Sequence, residues 1–203
     1  MPQLIKPIVF VAALVPLASL IVAVLTGRTS ANPAEDIILT TGIWALRFLL
    51  ASLAITPIRR LTGWNVLIKY RRMLGLFAFF YASIHMLSYL AFDQLFALDE
   101  VVVDVAKRPF ITAGMAAFLT MIPLAVTSTR GWIRRLGRRW QLLHRLVYVS
   151  ACCASLHFVW KVKVAIGEPV YYAALVGLLL GFRLVWRLRP PAVSGVKRHK
   201  HKG

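Results

Sequence analysis

Six long apolar runs divide this chain, and short segments rich in charge, glycine or proline separate them. The runs fall at approximately Ile8–Leu25, Ile37–Ile58, Met73–Phe92, Phe110–Val126, Leu143–Trp160 and Val170–Trp186. A helix that crosses a bilayer needs roughly 20 mostly apolar residues, and each run meets or approaches that length. The pattern predicts an all-α membrane protein, a bundle of six transmembrane helices. Thr56-Pro57 is expected to close the second span, because proline removes a backbone donor and clashes with the preceding turn. The first run follows Lys6, as a signal peptide core would. It is longer than such a core, however, and no small-x-small cleavage site follows, so it is read as an uncleaved span. No Rossmann or Walker glycine pattern and no internal repeat is evident.

Composition agrees with the pattern. Of 203 residues, 59% are hydrophobic and 16% charged, and the mean hydropathy is +0.71. A soluble domain is about 45–50% apolar, and a chain this short has too much surface to hide the excess from water. A soluble globular protein and a disordered one are both excluded. The net charge of +18 would ordinarily suggest a nucleic-acid partner, but here the basic residues lie between membrane spans. One set of loops holds 17 of them: Lys6, then Arg59, Arg60, Lys69, Arg71 and Arg72, then Arg130, Arg134, Arg135, Arg138 and Arg139, then Arg187, Arg189, Lys197, Arg198, Lys200 and Lys202. The other set holds 5, Arg28, Lys107, Arg108, Lys161 and Lys163, and all 7 acids, Glu35, Asp36, Asp93, Asp99, Glu100, Asp104 and Glu168. The positive-inside rule puts both termini in the cytoplasm, with the basic loops facing anionic membrane lipid and no nucleic acid involved. The expected organisation is a membrane domain over residues 1–190 and a basic cytoplasmic tail over 191–203. That tail, solvated or lipid-facing, is too short for a flavin or nicotinamide domain, whose βαβ unit alone takes roughly 30 residues. The chain is therefore expected not to oxidise NADPH by itself. Cys152 and Cys153 make neither a disulfide framework nor a zinc site.

Ionisable side chains at membrane depth are costly and mark candidate functional positions. Arg47, His85, His144, Arg145, His157 and Arg183 qualify. His85 and His157 lie on the third and fifth spans, which run in the same direction. Asp93 and Lys163 mark the outer boundary beyond them, so both histidines sit about 9–12 Å inside it. Two imidazoles at matched depth on two helices suit axial ligation of one iron from opposite sides, and haem b also wants an apolar slot. Phe77, Phe80, Tyr81, Tyr89, Tyr148, Phe158 and Trp160 are expected to wall that slot. The alternative for each histidine is a bond to a neighbouring carbonyl and no metal. His144, thirteen residues before His157, lies about 20 Å lower and roughly 140° round the helix. It reads as a ligand of a second haem or as a wet interfacial histidine; the third span offers Arg71 and Arg72 at that depth, not a histidine. Arg47 has no acid at its depth. A haem propionate or a phosphate-bearing cofactor would supply the anion, and snorkelling to backbone carbonyls is the alternative. Gly42, Gly75 and Gly114 permit close helix contact or the approach of a flat ring.

Several strings carry a resemblance, in order along almost the whole chain. They are Thr41-Gly42-Ile43-Trp44-Ala45-Leu46-Arg47; Thr56-Pro57; Arg71-Arg72-Met73-Leu74-Gly75-Leu76; and Tyr81-Ala82-Ser83-Ile84-His85. Then come Lys107-Arg108-Pro109-Phe110-Ile111-Thr112, Pro123-Leu124-Ala125-Val126-Thr127-Ser128, and Trp140-Gln141-Leu142-Leu143-His144-Arg145-Leu146-Val147-Tyr148, reaching His157. The chain resembles the haem-binding membrane subunits of bacterial periplasmic methionine sulfoxide reductase systems. These belong to the ferric-reductase-like transmembrane family, related to NADPH oxidases. The resemblance implies a multi-pass protein of the bacterial cell inner membrane with haem b and FMN. It implies electrons drawn from the quinone pool, or from a cytosolic flavin reductase, and passed to an MsrP-like periplasmic molybdopterin subunit in a heterodimer. That partner repairs methionine sulfoxide in oxidised proteins, so this chain would be the electron-transfer subunit and carry no catalytic residue. The family's haem histidines map onto His85, His157 and His144. The four-histidine pattern of the NADPH oxidases is one short here, so a second bis-histidine haem is incomplete. The competing readings are a stand-alone ferric or other metalloreductase, and a non-redox transporter or structural membrane subunit. A transporter favours paired spans broken by glycine or proline, and none is clearly placed.

Overall fold

A computed structural model describes residues 2–162 and 167–188. Lys163, Arg189 and the basic tail at 191–203, with Lys197, Arg198, Lys200 and Lys202, lie outside the described residues. The described chain is helical, without strands: α1 (Pro2–Leu25), α2 (Pro33–Thr62), α3 (Ile68–Ser88), α4 (Leu98–Lys107), α5 (Pro109–Val126), α6 (Arg130–Leu136), α7 (Arg138–Leu143), α8 (Leu146–Lys161) and α9 (Glu168–Leu188). Six segments are long and apolar enough to cross a membrane, as the hydrophobic runs predict: α1, α2, α3 with its flanking turns, α5, α7 with α8, and α9. The short amphipathic α4 and the basic α6 connect them and escaped the sequence reading, since neither is a long apolar run.

Helix ends follow local chemistry. Asn32 caps α2 by accepting the Glu35 N–H at 3.3 Å, Pro33 opens the helix, and Glu35 and Asp36 sit in its first turn. A capping side chain, an N-terminal proline and negative charge all favour a helix start. The expectation that Thr56-Pro57 closes this span is corrected. α2 runs through Pro57 to Thr62 and stops at Gly63, whose φ of 76° is the left-handed conformation glycine adopts without penalty. Proline at 57 leaves the Leu53 carbonyl without its usual donor four residues on. The Arg183 guanidinium of α9 donates to that carbonyl instead, so the helix survives. A related device serves α1 beside Pro16. The Tyr81 hydroxyl donates to the Ala13 carbonyl at 2.9 Å and accepts the Leu17 N–H at 3.1 Å, standing inside a pair that would otherwise bond each other.

Two helix pairs form the body. α2 packs along α3, and α5 along α8. α9 covers α8 and part of α2, while α1 leans on α2 and α3. The shared core gathers Leu46, Leu49, Leu50 and Leu53 of α2 with Phe77, Ala78 and Tyr81 of α3, Ala151 of α8, and Val176 and Leu179 of α9. Outside it, large apolar side chains such as Ile8, Val11, Leu178 and Leu184 stay exposed. Helices whose outer surface is apolar all round are built for hydrocarbon, where each backbone group must find its partner internally. All seven acids fall at one end of the spans, and Arg59, Arg60, Arg71, Arg72, Arg130, Arg134 and Arg135 gather at the other.

Candidate functional site

His85 of α3 and His157 of α8 face each other across a cleft between the two helix pairs. Their ring centres are 6.1 Å apart and their planes 76° from parallel. Both rings are held in the same way. His85 Nδ1 lies 2.8 Å from the Ile38 carbonyl of α2, and His157 Nδ1 lies 2.6 Å from the Phe110 carbonyl of α5. A carbonyl only accepts, so each Nδ1 carries the proton and each Nε2 keeps its lone pair. This second bond is the usual means of fixing a ligating histidine's tautomer and ring orientation. The rings reach those carbonyls because a glycine stands one turn on. A Cβ at Gly42 would lie 2.9 Å from His85 Nδ1, and one at Gly114 would lie 2.7 Å from His157 Nδ1.

The spacing fits a metal held between the rings. A metal–imidazole bond is about 2.0–2.1 Å, and a ring centre lies about 1.1 Å behind its nitrogen, which gives about 6.3 Å between centres across one metal, close to the observed separation. The cleft is suited to a flat group. Gly42, Ala45, Ala82, Gly114, Ala117 and Ala154 leave its walls thin, while Leu46, Phe110, Phe118, Met121 and Phe158 keep it apolar. At its acid-bearing end it opens beside Asp93, Arg108 and Lys161. Arg108 pairs with Asp104 at 3.3 Å, and the Lys161 ammonium lies 5.8 Å from the centre of the Phe110 ring. Among the described residues no group of three or more His, Cys, Asp or Glu side chains is placed to hold a metal ion.

Comparison with known proteins decides the family. The profile described as "Ferric reductase like transmembrane component" matches residues 41–160. A haem-binding subunit MsrQ of protein-methionine-sulfoxide reductase from Herminiimonas arsenicoxydans is 51% identical over 190 residues, covering 91% of this chain and 87% of the relative. Subunits of the same name from Xanthomonas euvesicatoria and Rhodospirillum rubrum are each 50% identical, over 90% and 89% of this chain and 86% and 88% of theirs. The chain belongs to the MsrQ family of ferric-reductase-like membrane proteins. It is accordingly a multi-pass membrane protein. No solved structure matches it.

In this MsrQ-family chain the other candidate residues lie away from the cleft. Arg47 is five residues on from Gly42, about 140° round α2. Its Nε donates to the Tyr172 hydroxyl of α9 at 2.8 Å, and its guanidinium lies 4.8 Å over the Trp44 ring. A neutral hydroxyl and an aromatic face are thus its partners among the described residues. His144 sits in the break between α7 and α8, its ring stacked on Trp140 at 3.9 Å and its Nε2 3.1 Å from the Thr127 hydroxyl. Among the described residues no second histidine faces it. Arg145 is exposed, and Arg183 bonds Tyr148 and Leu53. Of the aromatic wall, Tyr89 and Phe158 line the cleft. Phe77 and Tyr81 instead pack on Phe48 toward α1 and α2, Phe80 stacks edge-on against both, Tyr148 lies under Arg183, and Trp160 is exposed.

From the sequence alone Arg108 and Lys161 are loop charges and no repeat is evident. The structure shows one. Each histidine follows its carbonyl partner by 47 residues. The strings Ala82-Ser83-Ile84-His85 and Ala154-Ser155-Leu156-His157 match, as do Thr40-Thr41-Gly42 and Thr112-Ala113-Gly114, at a constant offset of 72. The same offset carries His144 onto Arg72, whose guanidinium donates to the Ser128 carbonyl at 3.4 Å. That repeat is the signal that would have identified both glycines.

Proposed function

We propose that this chain is the haem b-carrying electron-transfer subunit of a periplasmic methionine sulfoxide reductase system, in the bacterial inner membrane with both termini cytoplasmic. One observation carries the reading: two imidazoles, each with Nδ1 committed to a backbone carbonyl, stand 6.1 Å apart in an apolar cleft. His85 and His157 would hold haem b through their free Nε2 atoms, and the bound haem would supply a one-electron carrier at that depth. Gly42 and Gly114 admit the rings, and the Ile38 and Phe110 carbonyls hold them. Arg108 and Lys161 at the mouth suit the two propionates. The small and aromatic walls exclude water, which keeps the ligand set dry and the potential under the protein's control. His144 is left outside a bis-histidine pair.

The acid-rich face fits a soluble acceptor. Asp93 is exposed at the cleft mouth, Asp99 and Glu100 are exposed in the connection that follows it, and charge of one sign steers a partner of the other. The partner is an MsrP-like molybdopterin subunit; the donor is quinol or a cytosolic flavin reductase, and FMN rests on the family resemblance alone. Stopped-flow absorbance tests this. Pre-reduced protein is mixed with the periplasmic subunit and a methionine sulfoxide substrate, and the Soret band is expected to return to its oxidised position within seconds. A band that stays reduced for minutes, while ferric chelates oxidise it at once, replaces this reading with a metalloreductase.

A further inference from the structure

The opposite, arginine-rich end holds a second cluster that the histidine cleft does not use. Arg183 of α9 donates through Nη1 to the Tyr148 hydroxyl at 2.8 Å and through Nη2 to the Leu53 carbonyl that Pro57 leaves free. Its Nε is buried without a hydrogen-bond partner. On the facing side of α2, Thr56 and Arg59 lie one turn apart, and the Thr56 hydroxyl and the Arg59 Nε are likewise buried and unpartnered. Arg71 of α3 lies near enough to Arg183 and Arg59 to feel both charges, with Tyr148 beside it. Three guanidiniums and the Tyr148 hydroxyl, from four helices, are therefore neighbours, and Thr56 stands one turn from Arg59 on α2.

Among the described residues no anion answers them. Every Asp and Glu is placed at the other end of the spans, and the ion pair among the described residues, Arg108 with Asp104, is there too. Clustered cations repel, and a buried donor left unbonded costs about the full desolvation of that group. Guanidiniums are the side chains suited to oxyanions, which they grip through paired parallel hydrogen bonds. A carboxylate offers two oxygens and one charge. A phosphate group offers three oxygens and up to two charges, which better matches three guanidiniums and a hydroxyl. We propose that Thr56, Arg59, Arg71 and Arg183 form a binding site for a phosphate group at the arginine-rich end of the bundle. The inference stands independently of the haem reading. Its phosphate is carried either by a soluble phosphomonoester or by a lipid headgroup, and the two are separable.

The test uses the full-length, haem-loaded protein in nanodiscs. The soluble arm titrates flavin mononucleotide, riboflavin and inorganic phosphate by calorimetry; the first two differ in the phosphate alone. The lipid arm compares thermal stability in phosphatidylcholine discs with and without phosphatidic acid. Arg59→Gln, Arg183→Gln and Thr56→Val are made, with haem per chain as the check on folding; Thr56→Val keeps shape if an arginine variant does not assemble. A soluble ligand gives mononucleotide binding about tenfold or more tighter than riboflavin, weakened about tenfold or more by each arginine variant. A lipid ligand gives no titration but a stabilisation by phosphatidic acid that the variants lose. Equal behaviour of wild type and all three variants toward every probe overturns the proposal.

Discussion

Gly114→Ala is the sharpest probe of the histidine cleft, because one methyl group tests the whole arrangement. The added Cβ would lie 2.7 Å from His157 Nδ1, 3.0 Å from Cε1 and 3.2 Å from Cγ, where ordinary contact begins near 3.4 Å. The ring must retreat by about 0.7 Å, several times the ~0.2 Å tolerance of a metal–ligand distance. It cannot retreat without loosening its 2.6 Å bond to the Phe110 carbonyl. Overpacking of this kind costs about 1–3 kcal/mol, which is roughly 5- to 150-fold in haem affinity. Gly42→Ala, with a nearest approach of 2.9 Å, is expected to do less. Gly177→Ala meets nothing within 4 Å and is the control. The assay is pyridine haemochrome per chain, with reduced-minus-oxidised spectra of the membranes. The expected order of loss is Gly114→Ala, then Gly42→Ala, then none for Gly177→Ala. A normal low-spin spectrum at full occupancy in Gly114→Ala would refute the claim that these rings are seated by glycine.

Other outcomes follow from the same geometry. His85→Ala and His157→Ala each abolish the reduced low-spin spectrum, whereas His144→Ala, bonded to Thr127 and stacked on Trp140, changes it little; spectra of the three purified variants check this. Imidazole planes 76° apart predict a strongly anisotropic low-spin ferric EPR signal, and a signal typical of parallel planes counts against the pairing. Tyr81→Phe removes the hydroxyl lodged between Leu17 and Ala13 and is expected to destabilise the α1 contact by about 1–2 kcal/mol, read as a lower melting temperature and faster proteolysis near Pro16. Reporter fusions in the Thr129–Gly137 segment are expected to be active as cytoplasmic reporters, and those near Asp99 as periplasmic ones.

The spans were legible because each is a long uninterrupted apolar run, and membrane helices owe their existence to that property more than to any partner. His85 and His157 were legible because a titratable group at membrane depth stands out, and their matched depth follows from counting residues. What failed was anything set by direction around a helix. Arg47 was placed by depth near the middle of its span, yet it points to Tyr172 and away from the cleft. Most of the aromatic wall failed for the same reason, since the slot is bounded by alanine and glycine where a large ring would fill it. Pro57 was taken for a helix end because its rescuer, Arg183, lies 126 residues away. Sequence proximity carries no trace of such a bond.

Each histidine is seated entirely within its own helix pair, His85 by α2 and His157 by α5. The two halves of the site are thus made at different times. During synthesis the first hairpin can pair and seat its imidazole while the second is still to be translated. Membrane helices insert singly and associate afterwards, so the cleft comes into being only when the two finished hairpins meet. A group held by both imidazoles, as proposed above, would then act as a clasp between independently inserted units. Its capture becomes the closing event of biogenesis, and a chain that misses it leaves two hairpins joined by the Gln94–Arg108 connection, open to quality-control proteases at that seam.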